Sequence, residues 1–322
     1  MVKTGKIAFE EHFMAPGFEK HSLNFIRHLS AETAATLNRR LNDFHHERID
    51  EMDRGGISYA ILSLTGPGVQ GEDGSPTQAA ERANDFLARQ IESRPDRLGG
   101  FAALPMQDPK AAIAELERCV RQLGFKGCLV NGHTAGVYYD DVKYDVFWEA
   151  LQALDVPFYL HPANAYRNPY VLEGHPELFA ASWGWGVETG SHALRLLFGG
   201  VFDRFPRIKV ILGHMGEGLP FLRWRFDSRF AAYPMGVSLK RTPSEYFGSN
   251  ILITTSGVCS HPALIGAIGE MGAEAVMFSV DYPYENTKTA ADFIETAPID
   301  AATRDLVCRG NAARLFKLSM GS

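Results

Sequence analysis

The chain has 322 residues, 45% of them hydrophobic and 22% charged, and 38 Asp and Glu against 32 Lys and Arg give a net charge of −6. Such a composition supplies a sizeable core, and the absence of a basic run excludes nucleic acid and anionic membrane surfaces as partners. The N-terminus carries acids where a signal peptide needs an apolar stretch, and no run approaches the roughly 18 apolar residues of a membrane span. Cys119, Cys128, Cys259 and Cys308 form no C-x-x-C pair. A cytoplasmic protein with reduced thiols is therefore expected.

Short, β-rich apolar runs recur along the chain at Lys6–Phe9, Tyr59–Leu64, Gly100–Leu104, Gly127–Asn131, Pro157–Pro162, Lys209–Gly213, Ile251–Thr255 and Val276–Val280. Most are nearly continuous in apolar residues, as strands covered on both faces should be, and most of the intervening segments can hold an amphipathic helix. In Pro76–Ser93, Ala79, Ala80, Ala83, Phe86, Leu87 and Ile91 return at helical spacing before Arg94-Pro95 stops the run, and Pro109–Leu123 repeats the design. Eight such units predict an α/β fold of one domain over residues 1–322, a (β/α)8 TIM-like barrel. A doubly wound open sheet uses the same alternation, but no Gly-rich phosphate fingerprint follows the first strand. The segment 14–56 is too long for a simple crossover and is expected to add a cap or an interface element.

In such a barrel the reactive groups lie at the C-terminal ends of the strands. Strand one ends Phe9-Glu10-Glu11-His12-Phe13, and period-2 alternation puts Glu10 and His12 on one side. Strand five ends in His161-Pro162, strand six runs into Gly213-His214-Met215-Gly216-Glu217, and strand eight ends in Asp281-Tyr282-Pro283. Glu10, His12, His161 and Asp281 form a mixed nitrogen and oxygen set suited to Zn2+ or Mn2+, with Mg2+ also acceptable. A lone strand-end His or Asp is usually a capping or hydrogen-bonding residue; four at equivalent positions are not explained that way. His214, with Glu217 to orient its imidazole, suits acid/base chemistry, a fifth ligand position being the alternative. Arg225, between Trp224 and Phe226, offers a planar fork for a carboxylate, and Phe25, Trp183 and Tyr282 are candidate ring-facing walls. Cys259-Ser260-His261 lacks a third orienting group and reads as loop packing.

These residues resemble the amidohydrolase-related decarboxylases of aromatic acids, of the γ-resorcylate and 2,3-dihydroxybenzoate type. The resemblance covers nearly the whole chain and is carried by Ile7-Ala8-Phe9-Glu10-Glu11-His12-Phe13, Leu129-Val130-Asn131-Gly132, Phe158-Tyr159-Leu160-His161-Pro162, Ile211-Leu212-Gly213-His214-Met215-Gly216-Glu217, Thr254-Thr255-Ser256-Gly257 and Phe278-Ser279-Val280-Asp281-Tyr282-Pro283. It implies one divalent metal ion held by Glu10, His12, His161 and Asp281, no organic cofactor, a His214–Glu217 dyad, substrate contacts from Arg225 and Asn131, and a homodimer or homotetramer. The implied reaction is loss of CO2 from a small ortho-hydroxylated aromatic acid. Asp281 would deliver the proton to carbon, and His214 with Glu217 would take the proton of the phenol. Close relatives tend to read Arg-Asn-Pro after His161-Pro162, where this chain has Ala163-Asn164-Ala165, which leaves the ring substituents open. The competing readings are a metal-dependent hydrolase of a lactone or ester, against which Glu10-x-His12 in place of His-x-His speaks, and a barrel that has lost catalysis.

Overall fold

The computed structural model describes residues 5–20 and 29–319. Among the described residues, eight strands, all parallel to their neighbours, form two sheets. The first contains β1 (Lys6–Phe13), β2 (Ile57–Leu64) and β3 (Leu98–Gly100), in that order. The second runs β4 (Cys128–Asn131), β5 (Phe158–His161), β6 (Val210–Leu212), β7 (Ile251–Thr254) and β8 (Val276–Met277). Isolated parallel bridges join their margins, Ala102 to Cys128 at one seam and Glu11 to Tyr282 at the other. Every strand residue is buried, which explains the unbroken apolar runs of the sequence.

Among the described residues, the helices of eight or more residues are α1 (Ala31–Leu41), α2 (Glu47–Arg54), α3 (Pro76–Glu92), α4 (Pro109–Arg121), α5 (Asp145–Leu154), α6 (Gly184–Phe198), α7 (Arg223–Ala232), α8 (His261–Met271) and α9 (Thr287–Thr296). Their starts follow local chemistry. Asp108 caps α4 by accepting the Lys110 N–H at 2.9 Å, and Pro109 occupies the first turn, where no N–H partner is needed. At the centre, Phe9 packs edge-on against Phe101, Tyr159 and Phe316, so β1 anchors the core beneath its own polar end.

Three strands end well away from where the sequence places them, each for an identifiable reason. β1 runs on to Phe13 through an irregularity between Ala8 and Glu11, a bulge that re-aims the side chains following it. β3 ends at Gly100 rather than Leu104, because at Ala103 the ladder gives way to Asn84 of α3, whose Oδ1 accepts the Ala103 N–H at 2.9 Å while its Nδ2 donates to the Ala103 carbonyl at 2.9 Å. β8 stops at Met277, since side chains take over beyond it: Ser279 N–H donates to Thr255 Oγ1 at 3.3 Å and Val280 N–H to Glu11 Oε1 at 3.0 Å. Within the segment 14–56, α1, α2 and the loop between them contribute Leu37, Leu41, Phe44, Ile49 and Met52 to the common core. Among the described residues no helix is long and apolar enough to cross a membrane.

Candidate functional site

Glu10, His12, His161 and Asp281 converge, each offering one ligand atom, with all four atoms within 4.8 Å of one another. His12 Nε2 is 3.3 Å from Asp281 Oδ1, and His161 Nε2 is 3.6 Å from Glu10 Oε1. The other ring nitrogens are engaged from behind: His12 Nδ1 meets Ser63 Oγ at 3.1 Å, and His161 Nδ1 donates to the Pro162 carbonyl at 3.1 Å. That arrangement turns Nε2 of each ring toward the common point, as metal-ligating histidines are usually held.

Glu10 is fully buried, and its Oε2 accepts from the hydroxyls of Tyr159, Ser256 and Thr254, the last at 3.3 Å. Its Oε1 has no hydrogen-bond partner, and neither do the buried atoms His12 Nε2 and Asp281 Oδ1. Three unpaired polar atoms facing one another in a protein interior are costly unless something binds between them. Two imidazoles and two carboxylates are what Mn2+ or Zn2+ accepts, so the residues fit such an ion. Burial, followed by the neighbouring His12, holds His161 well below the usual histidine range, which keeps the ring neutral as a ligand must be. Burial pushes Glu10 upward against the pull of His214.

His214 sits beside this cluster, its Nδ1 2.8 Å from Glu217 Oε1 and its Nε2 3.5 Å from both Glu10 Oε1 and Asp281 Oδ2. Burial opposes its charged form, but Glu10 and Glu217 outweigh that and raise its pKa well above the ordinary value. Burial works the other way on Asp281, where the neighbouring imidazoles of His12 and His214 prevail and hold the carboxyl below the usual range. The backbone is strained at both groups, with φ of 49° at His214, 57° at Met215, 54° at Glu217 and 75° at Asp281. Non-glycine residues in the left-handed region cluster at functional sites. Two glycines make the approach possible. A Cβ on Gly213 would lie 2.6 Å from Glu10 Oε2, and one on Gly257, at φ +64°, would lie 2.9 Å from His214 Cδ2.

The remaining candidates are placed unevenly. Asn131 ends β4 buried, its N–H donating to Gln70 Oε1 at 3.2 Å and its Oδ1 unpaired. Tyr282 is buried with its hydroxyl unpaired and its ring faced by two guanidinium groups, those of Arg40 at 4.5 Å and Arg48 at 4.3 Å. Trp183 is exposed at the start of α6, and Arg225 is exposed on α7. Phe25 lies outside the described residues. Ser260 caps α8, and His261 Nε2 donates to the Phe293 carbonyl at 2.9 Å, so Cys259-Ser260-His261 serves the helix start. After His161-Pro162, Ala163 packs on Gly132 and Asn164 accepts the Trp185 Nε1–H at 2.6 Å. Sequence reasoning missed the hydroxyls on Glu10, although Tyr159 stands two residues before His161 and Thr254 two before Ser256, the spacing that puts strand side chains on one side.

The chain is similar over nearly its whole length to proteins of known activity. The γ-resorcylate decarboxylase of Polaromonas sp. strain JS666 is 46% identical, the alignment covering 98% of this chain and 99% of the relative. A solved 2,6-dihydroxybenzoate decarboxylase in complex with 2,6-dihydroxybenzoate superimposes with a TM-score of 0.93 at 45% identity, over 98% of this chain and 99% of that one. A dihydroxybenzoic acid decarboxylase from Polaromonas sp. JS666, solved with bound manganese and the inhibitor 2-nitroresorcinol, gives a TM-score of 0.92 at 46% identity, covering 98% and 97%. The amidohydrolase family model, Amidohydro_2, matches residues 12–318, and the chain belongs to that family.

Proposed function

We propose that this protein is a metal-dependent carboxy-lyase that removes CO2 from an ortho-hydroxylated aromatic acid of the 2,6-dihydroxybenzoate (γ-resorcylate) class. One observation carries the reading: Glu10 Oε1, His12 Nε2 and Asp281 Oδ1 are buried, unpaired and turned toward the same point as His161 Nε2. Glu10, His12, His161 and Asp281 would hold a divalent ion there, Mn2+ being the one bound in the relative's structure, and its positive charge would make the ortho hydroxyl of the substrate more acidic. Around it, His214 with Glu217 behind it takes the phenolic proton at Nε2. Asp281 then delivers a proton to the ring carbon that bears the carboxylate. His214 Nε2, 3.5 Å from Asp281 Oδ2, is the group within reach to hand Asp281 that proton. The carbon–carbon bond breaks, its electron pair returns to the ring, and CO2 leaves. Asn131, at the end of β4 with a free Oδ1, is the proposed contact for a second ring hydroxyl.

The framework is read as one domain closed into a (β/α)8 barrel, supported by the bridges Ala102–Cys128 and Glu11–Tyr282 between the two sheets. Assembly as a homodimer or homotetramer is supported by exposed apolar side chains in two surface stretches, Tyr166, Tyr170 and Trp183 in one, Phe221, Trp224 and Met235 in the other. Such an assembly is where Arg225 and Trp183 would find partners. A cytoplasmic setting fits four cysteines that form no disulfide.

The test is incubation of Mn2+-loaded protein with 2,6-dihydroxybenzoate, salicylate and 3- and 4-hydroxybenzoate, with phenyl acetate and a simple lactone alongside, following CO2 and phenol. Turnover of the ortho-hydroxylated acids alone is expected. Comparable decarboxylation of 4-hydroxybenzoate would show the proton-delivery scheme to be wrong, and ester or lactone hydrolysis without CO2 release would replace it with a hydrolase.

A further inference from the structure

The segment between β1 and β2 sends two arginines behind the metal-site residues. Arg48, on α2, is only 2% exposed, and all but one of its side-chain nitrogens are accounted for. Nη2 donates to the His12 carbonyl at 2.6 Å and Nε to the Asp43 carbonyl at 2.9 Å, while the guanidinium lies 4.3 Å from the centre of the Tyr282 ring. Its own backbone N–H is fixed by Asp43 Oδ2 at 2.8 Å, so the helix start and the side chain are held by the same residue. Arg40, on α1, faces the Tyr282 ring at 4.5 Å, donates from Nη1 to the Pro283 carbonyl at 3.0 Å and pairs through Nη2 with Glu51 at 2.7 Å.

The two places these arginines grip are the ends of β1 and of the strand-eight run. They are also the seam where the ladder is weakest, because His12 N–H donates to the Tyr282 carbonyl at 2.6 Å but the neighbouring pairing is made by side chains. His12 and Asp281 are thus ligand-type residues on two chain ends that no continuous ladder holds in register. Burying a guanidinium is expensive and is repaid only by well-made contacts. Here the contacts go to the carbonyl of one candidate ligand residue and to the ring of the residue next to the other.

We propose that Arg48 is a positioning residue for the metal centre: by bracketing the His12 carbonyl and the Tyr282 ring it holds His12 Nε2 and Asp281 Oδ1 at the separation the ion requires. The segment 14–56 then has a role at the site beyond cap or interface. This rests on the metal-site reading above. A planar fork that donates to a carbonyl while its face covers a ring is a task for Arg and not for Lys.

The experiment titrates metal-free protein with Mn2+ and follows free Mn2+ by electron paramagnetic resonance, for the wild type, Arg48→Met, Arg48→Lys and, as comparator, Arg97→Met. Arg97 is a second buried arginine, bound to the Ser58 and Ile57 carbonyls at 3.0 and 3.1 Å, at the other end of β2. Outer partners of metal ligands change affinity by about 10–100-fold. Arg48→Met should raise the Mn2+ dissociation constant by that order, Arg48→Lys should fall between it and the wild type, and Arg97→Met should lower Tm while leaving the constant unchanged. If Arg48→Met does not fold, the Arg48→Lys affinity decides alone. Wild-type affinity in the Arg48 variants, or an equal loss in Arg97→Met, overturns the positioning role. A wild-type protein that takes up no stoichiometric Mn2+ overturns instead the metal-site reading on which it stands.

Discussion

His214 Nε2 stands 3.5 Å from Asp281 Oδ2, and its Nδ1 is held by Glu217 at 2.8 Å. Against the cost of burial, Glu10 and Glu217 favour the protonated imidazole, and the neighbouring His12 and His214 favour the ionised Asp281 carboxyl, so a proton taken up at His214 Nε2 is held there until it passes to Asp281. Replacing His214 with Asn should leave metal binding intact while lowering kcat by about 10²–10⁴-fold, the usual contribution of general acid–base catalysis. Asp281→Asn removes both a ligand and the proposed donor to carbon. Exchange of the ring proton of the phenol product in D2O, followed by NMR, should slow partially in His214→Asn and stop in Asp281→Asn even with excess metal. Near-normal exchange in metal-loaded Asp281→Asn would transfer the role at carbon to another group, His214 first.

His161 tests the ligand set from the opposite side. Its Nε2 is 3.6 Å from Glu10 Oε1, and its Nδ1 is already bound to the Pro162 carbonyl. His161→Ala should lose most bound metal in elemental analysis. The rise in Tm that excess Mn2+ gives the wild type, by binding only the folded state, should vanish with it. Full metal occupancy in this variant would remove His161 from the site.

Much of this centre was legible in the sequence because it is built from strand ends. The motifs at Glu10-x-His12, His161, His214 and Asp281 each close an apolar run, and the fold brings them together because parallel strands deliver their C-terminal ends to one face. Arg40 and Arg48 were not legible, since they lie on helices where a surface role is the ordinary expectation and their targets are main-chain carbonyls and a ring more than thirty residues away. Nor were the early ends of β3 and β8, where Asn84, Thr255 and Glu11 replace ladder bonds. A side chain that imitates a strand leaves no periodic signal.

Gly213 isolates the steric term. Its φ of −72° is open to any residue, so Gly213→Ala carries no backbone penalty, yet the new Cβ would lie 2.6 Å from one Glu10 oxygen and 2.8 Å from the other. Glu10 is enclosed by Tyr159, Thr254 and Ser256 and has no free direction in which to retreat. The variant should fold with a circular dichroism spectrum like that of the wild type and lose most of its Mn2+ affinity and decarboxylation. Undiminished affinity would show that Glu10 is not held where the geometry places it.

His192 makes stability depend on pH at a distance from the chemistry. It is fully buried on α6, its Nε2 accepts the Tyr139 N–H at 3.1 Å, and its Nδ1 has no partner. Burial, reinforced by the charge of Arg195, pushes its pKa down to about 3, against roughly 6.5 in an unfolded chain. Between those two values the unfolded chain holds a proton at this position that the folded protein lacks. The stability His192 confers is therefore complete above about pH 6.5 and is lost as pH falls toward 3, at ~1.4 kcal/mol per pH unit. Glutamine can still accept the Tyr139 N–H but does not titrate. Urea unfolding at pH 7.5 and 5.5 should show the wild type losing about 1.4 kcal/mol more than His192→Gln across that interval. Equal losses in the two proteins would mean that His192 is protonated in the fold and that its surroundings open to water.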